Sequence, residues 1–307
     1  MPPRLGAFFA IVLWGISFVA TKAALREISP ITLIFTRFAL GTLLLLGMLL
    51  LRGEPPIPPR DSWWPLACMG FVGVFVHQLL QSYGLTMTSA VHTGWLIGLI
   101  PIWSAVLSAV VLRERFGPGK LSGLVLGFIG AVIVVTRGHF DSGLLALPAT
   151  RGDLLILAST LNWAIYSVVG HGTLRRLGPS RATAGAMLLG WLMLAPLFFL
   201  HRGWSEYAQL TRVGWGATFF LGIGCSGLGY LFWYGALRRV EASRVAVFLY
   251  VEPLVTLAAA AILLREPVTV PAVVGGLLVM AGVLLVQTAG ARRAARVAPA
   301  AGRADAS

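Results

Sequence analysis

The sequence predicts an all-α polytopic membrane protein of ten transmembrane helices, arranged as two inverted five-helix repeats. Three observations carry this expectation. First, 57% of the 307 residues are hydrophobic and only 11% are charged, whereas soluble domains average about 25% charged. Second, the apolar residues come in runs of about 20, the length that crosses a bilayer as a helix. Third, the second half of the chain repeats the first. The 36 glycines fit the same picture, because small residues let helix backbones approach closely in lipid.

The apolar runs fall, in order, at 6–25, 31–51, 64–86, 90–112, 120–136, 152–171, 182–200, 214–237, 243–264 and 270–288. Short polar connections separate them, among them "REISP", "RGEPPIPPRD", "RERFGPGK", "LRRLGPS" and "REPVTVP". Pro and Gly in these connections end one helix and start the next. No connection has room for a soluble domain. The first run could be read as a signal peptide, but its counterpart later in the chain argues that it is retained.

The net charge of +13 does not point to nucleic acid, because Lys and Arg sit in the connections and in the tail "ARRAARVAPAAGRADAS". With ten spans both termini lie on one side. The loops of that side hold 16 Lys and Arg, the opposite loops hold 7, and Arg37 lies inside a span. The positive side is cytoplasmic, so both termini are expected there. Cys68 and Cys225 both lie within apolar runs and imply no disulfide framework.

The repeat is read from matched residues. "LWGISFVATKAALREISP" (13–30) matches "NWAIYSVVGHGTLRRLGP" (162–179), pairing Trp14 with Trp163 and Pro30 with Pro179 at an offset of 149. Further on, Tyr83-Gly84 pairs with Tyr234-Gly235 at 151, and Pro101 with Pro253, Arg113-Glu114 with Arg265-Glu266 and Gly130 with Gly282 at 152. An offset that drifts one residue at a time is what loop insertions produce. Five spans per half is an odd number, so the second half enters from the opposite side. The expected units are 1–138 and 150–290, followed by a basic tail at 291–307 expected to be disordered. Inverted repeats of this kind are typical of secondary transporters, whose sites lie near the midplane at the repeat interface.

The pieces "LWGISFVATKAAL", "TRFALG", "LRERFGPGKLSGLVLGFIGAVIVV", "GDLLILASTLNWAIYSVVG" and "YVEPLVTLAAAAILLREPVTVPAVVGGLLVMAGVLLV", in this order, resemble the EamA-type family of the drug/metabolite transporter superfamily. The resemblance implies a ten-helix fold that moves small metabolites, often exporting amino acids or related compounds. It also implies a central cavity formed mainly by the first, third, fourth, sixth, eighth and ninth helices. The expectation is therefore an alternating-access exporter in a bacterial-type inner (plasma) membrane, monomeric, surrounded by lipid and without a cofactor.

Within the spans, Glu252 is the only deep acidic residue. A charge at the bilayer centre costs about 2.5–3.5 kcal/mol on insertion scales, so it must face a cavity or a partner. That role is a substrate ammonium or a proton, or else a structural pair with Arg37. Pro101 and Pro253 each remove a hydrogen bond to the carbonyl four residues back and mark either a hinge or plain curvature. Ser17 and Thr21, His77 and Gln81 with Gln78 beside them, Asn162 and Tyr166, and Tyr230 and Tyr234 recur four residues apart, on one face of a helix. Together with Trp14, Trp95, Trp163 and Tyr250 they are the expected cavity lining, with interhelical bonding and packing as the alternative. Arg113-Glu114 and Arg265-Glu266 are expected to be local ion pairs at helix ends, or else gate contacts.

Competing functions are weaker. "GCSG" (224–227) matches the Gly-x-Ser-Gly pattern of rhomboid-type intramembrane proteases, but every histidine precedes Ser226, whereas in that family the base follows the serine. A sugar-phosphate or nucleotide-sugar carrier of the same superfamily would want Lys or Arg inside the cavity to meet phosphate, and only Arg37 and Lys22 qualify. A channel would need a continuous polar lining, while the polar residues here cluster near the middles of spans. No phosphate-binding Gly-x-x-x-x-Gly-Lys-Ser/Thr loop and no metal-spaced Cys/His cluster is present in the sequence.

Overall fold

A computed structural model describes residues 2–112, 117–139, 147–237, 239 and 247–304, leaving aside the side chains of 108–112, 148, 234, 237, 247 and 289–304. All regular structure among these residues is helical. The helices are α1 Pro3–Ala24, α2 Pro30–Leu51, α3 Arg60–Met87, α4 Ala90–Leu107, α5 Pro118–Thr136, α6 Ala149–Leu177, α7 Pro179–Leu200, α8 Arg212–Trp233, α9 Phe248–Leu264 and α10 Val270–Thr288. Among the described residues nine are long and apolar enough to cross a membrane, and α9 is a shorter apolar helix. The chain is thus a polytopic membrane protein. The segment 243–246 at the expected start of the ninth span lies outside the described residues. Beyond α10, helical geometry continues to Ala304, over most of the segment expected to be disordered.

Local chemistry sets the ends. Ser29 accepts a bond from the Thr32 amide and is followed by Pro30 at the first helical position, a combination that pre-organises a helix start. Ser89 and Thr211 cap α4 and α8 in the same way. Left-handed Arg137 and Arg265 follow the last turns of α5 and α9 and turn the chain out of the helix.

Four helices are irregular, in matched pairs. α3 contains a π-helical stretch at Phe71–Val76 and α8 one at Phe220–Gly229. α4 is broken into Ala90–Ile97 and a second segment that opens at Ile100. α9 opens with a 3-10 stretch, Val247–Val251, and becomes α-helical at Glu252. Pro101 and Pro253 are therefore not kinks inside continuous helices. Each sits at the second position of a new helical segment, where a missing N–H costs nothing.

Glycines bring the helices together. A Cβ on Gly123 would lie 2.7 Å from the Gly282 carbonyl oxygen and one on Gly282 2.5 Å from the Gly123 oxygen. Gly130 and Gly275 face each other equally closely, at 2.4 and 2.7 Å. α5 and α10 thus touch backbone to backbone at two reciprocal points, a geometry only small residues permit. α2 meets α8 through Gly41 and Gly222, and α7 meets α3 through Gly190 and Gly70. Large apolar side chains such as Leu51, Leu200 and Ile262 remain exposed on the outer surface, as a bilayer allows.

Candidate functional site

Between the helices lies a cavity of about 180 Å3, room for many waters or a small metabolite rather than a single trapped water. α1 contributes Trp14, Ser17 and Phe18; α2 contributes Arg37; α3 contributes His77, Gln78 and Gln81; α6 contributes Trp163 and α8 Tyr230. The break in α4 brings Ile97, Gly98, Ile100 and Pro101 to the wall, and the one in α9 brings Leu249, Tyr250, Glu252 and Pro253. α10 adds Met280, Val283 and Gln287.

Two aromatic walls frame the space. Trp14 packs edge-on to Tyr230 at 5.4 Å, and its Nε1 donates to the Cys225 carbonyl at 3.1 Å. His77 stacks tilted on Trp163 at 4.8 Å, fixed by a bond between its Nδ1 and the Ser159 carbonyl oxygen. Between the walls are two charges of opposite sign. Arg37 donates from Nε to Ser226 Oγ at 2.8 Å and from Nη1 to Gln78 Oε1 at 3.4 Å. No ion pair joins it to Glu252, so the pairing considered from the sequence is not formed. Glu252 faces the cavity with no hydrogen-bond partner for its carboxylate among the described residues. Ser226, weighed as a nucleophile, is fully buried and accepts from the Arg37 guanidinium, a donor that cannot serve as the base such a nucleophile needs.

The structure sorts the remaining expected lining residues differently. Thr21 is buried one turn beyond Ser17, past the end of the cavity. Trp95 is 1% exposed and lies against Gly276 of α10, inside the main apolar cluster. Asn162 donates to the Val72 carbonyl at 2.6 Å, and Tyr166 packs on Gly73 and Trp163. Both therefore serve the α3–α6 interface, Asn162 adding a second bond to a carbonyl that already takes the His77 amide. The Tyr234 side chain lies outside the described residues. Sequence reasoning missed Gln287 and the face of α10. Its signal was a single polar side chain spaced four from Val283 and seven from Met280.

One turn beyond Phe18 on α1, Lys22 belongs to a polar network. Lys22 Nζ pairs with Glu266 Oε1 at 3.0 Å and donates to the Thr88 carbonyl. The Glu266 carboxylate also accepts the first backbone N–H groups of α4, from Ala90 at 3.1 Å and Val91 at 3.0 Å. Arg265-Glu266 is therefore not a local ion pair, and Arg113-Glu114 lies outside the described residues. Beside it, fully buried Asp153 accepts from Thr88 Oγ1, sits 3.1 Å from His92 Nδ1 and pairs with Arg137 at 3.3 Å. Lys22 is thus engaged outside the cavity, and Arg37 is the one cation among its described lining residues. That is poor equipment for a phosphate.

Comparison with known proteins fits this geometry. The model of the EamA-like transporter family matches residues 2–136 and 150–288. A protein of Archaeoglobus fulgidus named "Uncharacterized transporter" is 33% identical over 279 residues, covering 90% of this chain and 95% of that protein. A protein of Streptantibioticus cattleyicolor named "Probable terminal-alkyne amino-acid exporter" is 28% identical over 294 residues, 93% of this chain and 94% of its own. A crystal structure at 22% identity superposes with a TM-score of 0.66, over 94% of this chain and 98% of the other, and shows the fold alone.

Proposed function

The chain belongs to the EamA-like transporter family, a transporter and not an enzyme, and we propose that it exports amino acids or similar small metabolites by alternating access. The observation that carries this reading is the cavity. Polar and aromatic side chains from α1, α2, α3, α6, α8 and α9 converge on one space, while the Lys22–Glu266 network joins α1 to the start of α4 and the α9–α10 turn. A small molecule held there and released on the other side is what such a site can do. The name of the Streptantibioticus cattleyicolor relative supports amino acids as the substrate class.

In this reading ten spans form two inverted repeats, 1–138 and 150–290, with 291–307 as a tail. The reciprocal α5–α10 glycine contacts and the paired irregularities of α3 with α8 and α4 with α9 support it. Residues Trp14, Ser17, His77, Gln78, Gln81, Trp163, Tyr230, Tyr250 and Glu252 meet the substrate. The segment starts at Pro101 and Pro253 are the hinges, since a break in a helix absorbs a rotation that a continuous helix resists. The protein works as a monomer in a bacterial-type inner membrane, with both termini cytoplasmic and the Lys22–Glu266 end outside.

The test is amino-acid counterflow in proteoliposomes, over a panel of amino acids and nucleosides, with and without a pH gradient. Exchange of at least one amino acid above protein-free liposomes is expected. Exchange of nucleosides alone would replace the substrate class. No exchange of any panel member would overturn the reading.

A further inference from the structure

We infer that Arg37 and Glu252 are the two ends of a zwitterion site, Arg37 receiving the substrate carboxylate and Glu252 its ammonium. The inference deepens the transporter reading above and rests on it. It starts from what the two side chains lack. Arg37 is 9% exposed, and its two hydrogen bonds go to neutral groups, Ser226 Oγ and Gln78 Oε1. A guanidinium has five N–H donors, so three remain without an acceptor among the described residues, and no carboxylate among them pairs with it. Glu252 shares the cavity, and its carboxylate has no donor among the described residues.

Opposite charges that line one low-dielectric space would gain by pairing. Here they are held apart. Ser226 on α8 and Gln78 on α3 fix the Arg37 fork, while Glu252 is set by the start of its own helical segment, whose carbonyl accepts from Thr256 Oγ1 at 3.0 Å. The gap between them is the cavity itself. One ligand class satisfies both without carrying net charge into the membrane: a molecule with a carboxylate for the planar guanidinium fork and an ammonium, all donor, for the carboxylate. The Trp14–Tyr230 and His77–Trp163 walls then receive the side chain of that molecule. An anion alone would leave Glu252 unmet, and an amine alone would leave Arg37 unmet.

The test uses counterflow of the best-exchanged amino acid, inhibited by three compounds of the same side chain: the amino acid itself, its N-acetyl form, which lacks the ammonium, and its carboxamide, which lacks the carboxylate. For the wild-type protein each single-charge analogue is expected to inhibit at least ~10-fold more weakly than the parent. Arg37→Gln is expected to abolish the discrimination against the carboxamide and keep that against the N-acetyl form. Glu252→Gln is expected to do the converse, and Arg37→Lys to retain part of the carboxamide discrimination. If the wild type exchanges an amino acid but either analogue inhibits as well as the parent, the zwitterion site is wrong and the transporter reading stands. If no amino acid exchanges, both fall. The wild-type comparison decides the matter even where a variant fails to fold.

Discussion

Asn162 shows how a polar residue inside a span earns its place without touching substrate, and Trp14 how a cavity residue also serves packing. A π-helical turn shifts the ladder from four to five residues, so the Val72 carbonyl takes the His77 amide and keeps a second lone pair open to a neighbouring side chain. Asn162 Nδ2 meets Val72 within the α3 stretch, and Trp14 Nε1 meets Cys225 within the α8 stretch. Asn162→Leu is expected to remove this second bond while the Val72 carbonyl keeps its His77 amide, and to destabilise by about 0.5–1.5 kcal/mol, read as a lower melting temperature in detergent with unchanged substrate selectivity. This double use explains how far the site was legible in the sequence. Spacing four apart places Ser17, His77, Gln81, Asn162 and Tyr166 on helix faces, but it does not say whether a face looks into space or onto a neighbouring backbone. His77 and Gln81 look into space, whereas Asn162 looks onto the Val72 carbonyl of the π-helical stretch in α3. Trp95 was misplaced for the same kind of reason: its indole fills the surface over Gly276, and nothing in its own neighbourhood of sequence announces that glycine.

At the scale of elements, the start of α4 depends on a residue from the α9–α10 turn. Glu266 accepts both N–H groups that open α4 and holds Lys22 at the end of α1. A carboxylate at a helix N-terminus is favourable in itself. Here it also locks three elements at one end of the cavity, with the Glu266 side chain only 10% exposed. Hydrogen bonds to a charged group are worth about 1.5–3 kcal/mol each, so losing them shifts a closed–open equilibrium by roughly 10–100-fold. In a protein lacking Cys68 and Cys225 and carrying Ser17→Cys, Glu266→Ala is therefore expected to raise labelling by a membrane-impermeant maleimide applied to the membrane face on which the Lys22–Glu266 network lies. Exchanging the pair as Lys22→Glu with Glu266→Lys is expected to restore closure in part only, since an ammonium cannot accept the α4 amides. Unchanged labelling in Glu266→Ala would show that this network does not close the cavity.

For the molecule as a whole, the spans were legible because hydrocarbon admits few solutions: about 20 apolar residues, helical, with every backbone group met internally. The irregular stretches were not legible, since Phe71–Val76 and Phe220–Gly229 carry no residue that demands a π turn. The repeat offset, however, makes a demand on packing. Gly123 and Gly275 are 152 apart, as are Gly130 and Gly282, and the observed contacts are crosswise, Gly123 with Gly282 and Gly130 with Gly275. Two equivalent helices that meet about a two-fold axis touch in this manner, residue i on j′ and j on i′. Damage on one side should then equal damage on the other. Gly130→Leu and Gly282→Leu each place a side chain onto a backbone oxygen that cannot give way, 2.4 and 2.5 Å from the first added carbon. Overpacking of this kind costs about 1–3 kcal/mol or more. Both variants are expected to lose the monodisperse peak on size-exclusion chromatography and to lower the melting temperature by similar amounts. Gly47→Leu is the control: it lies on α2 with nothing within 4 Å of the added carbon and is expected to behave as wild type. Gly130→Leu behaving like Gly47→Leu would rule out the α5–α10 contact. Gly130→Leu failing while Gly282→Leu is tolerated would keep the contact and refute its two-fold symmetry, because a symmetric joint has no sturdier half.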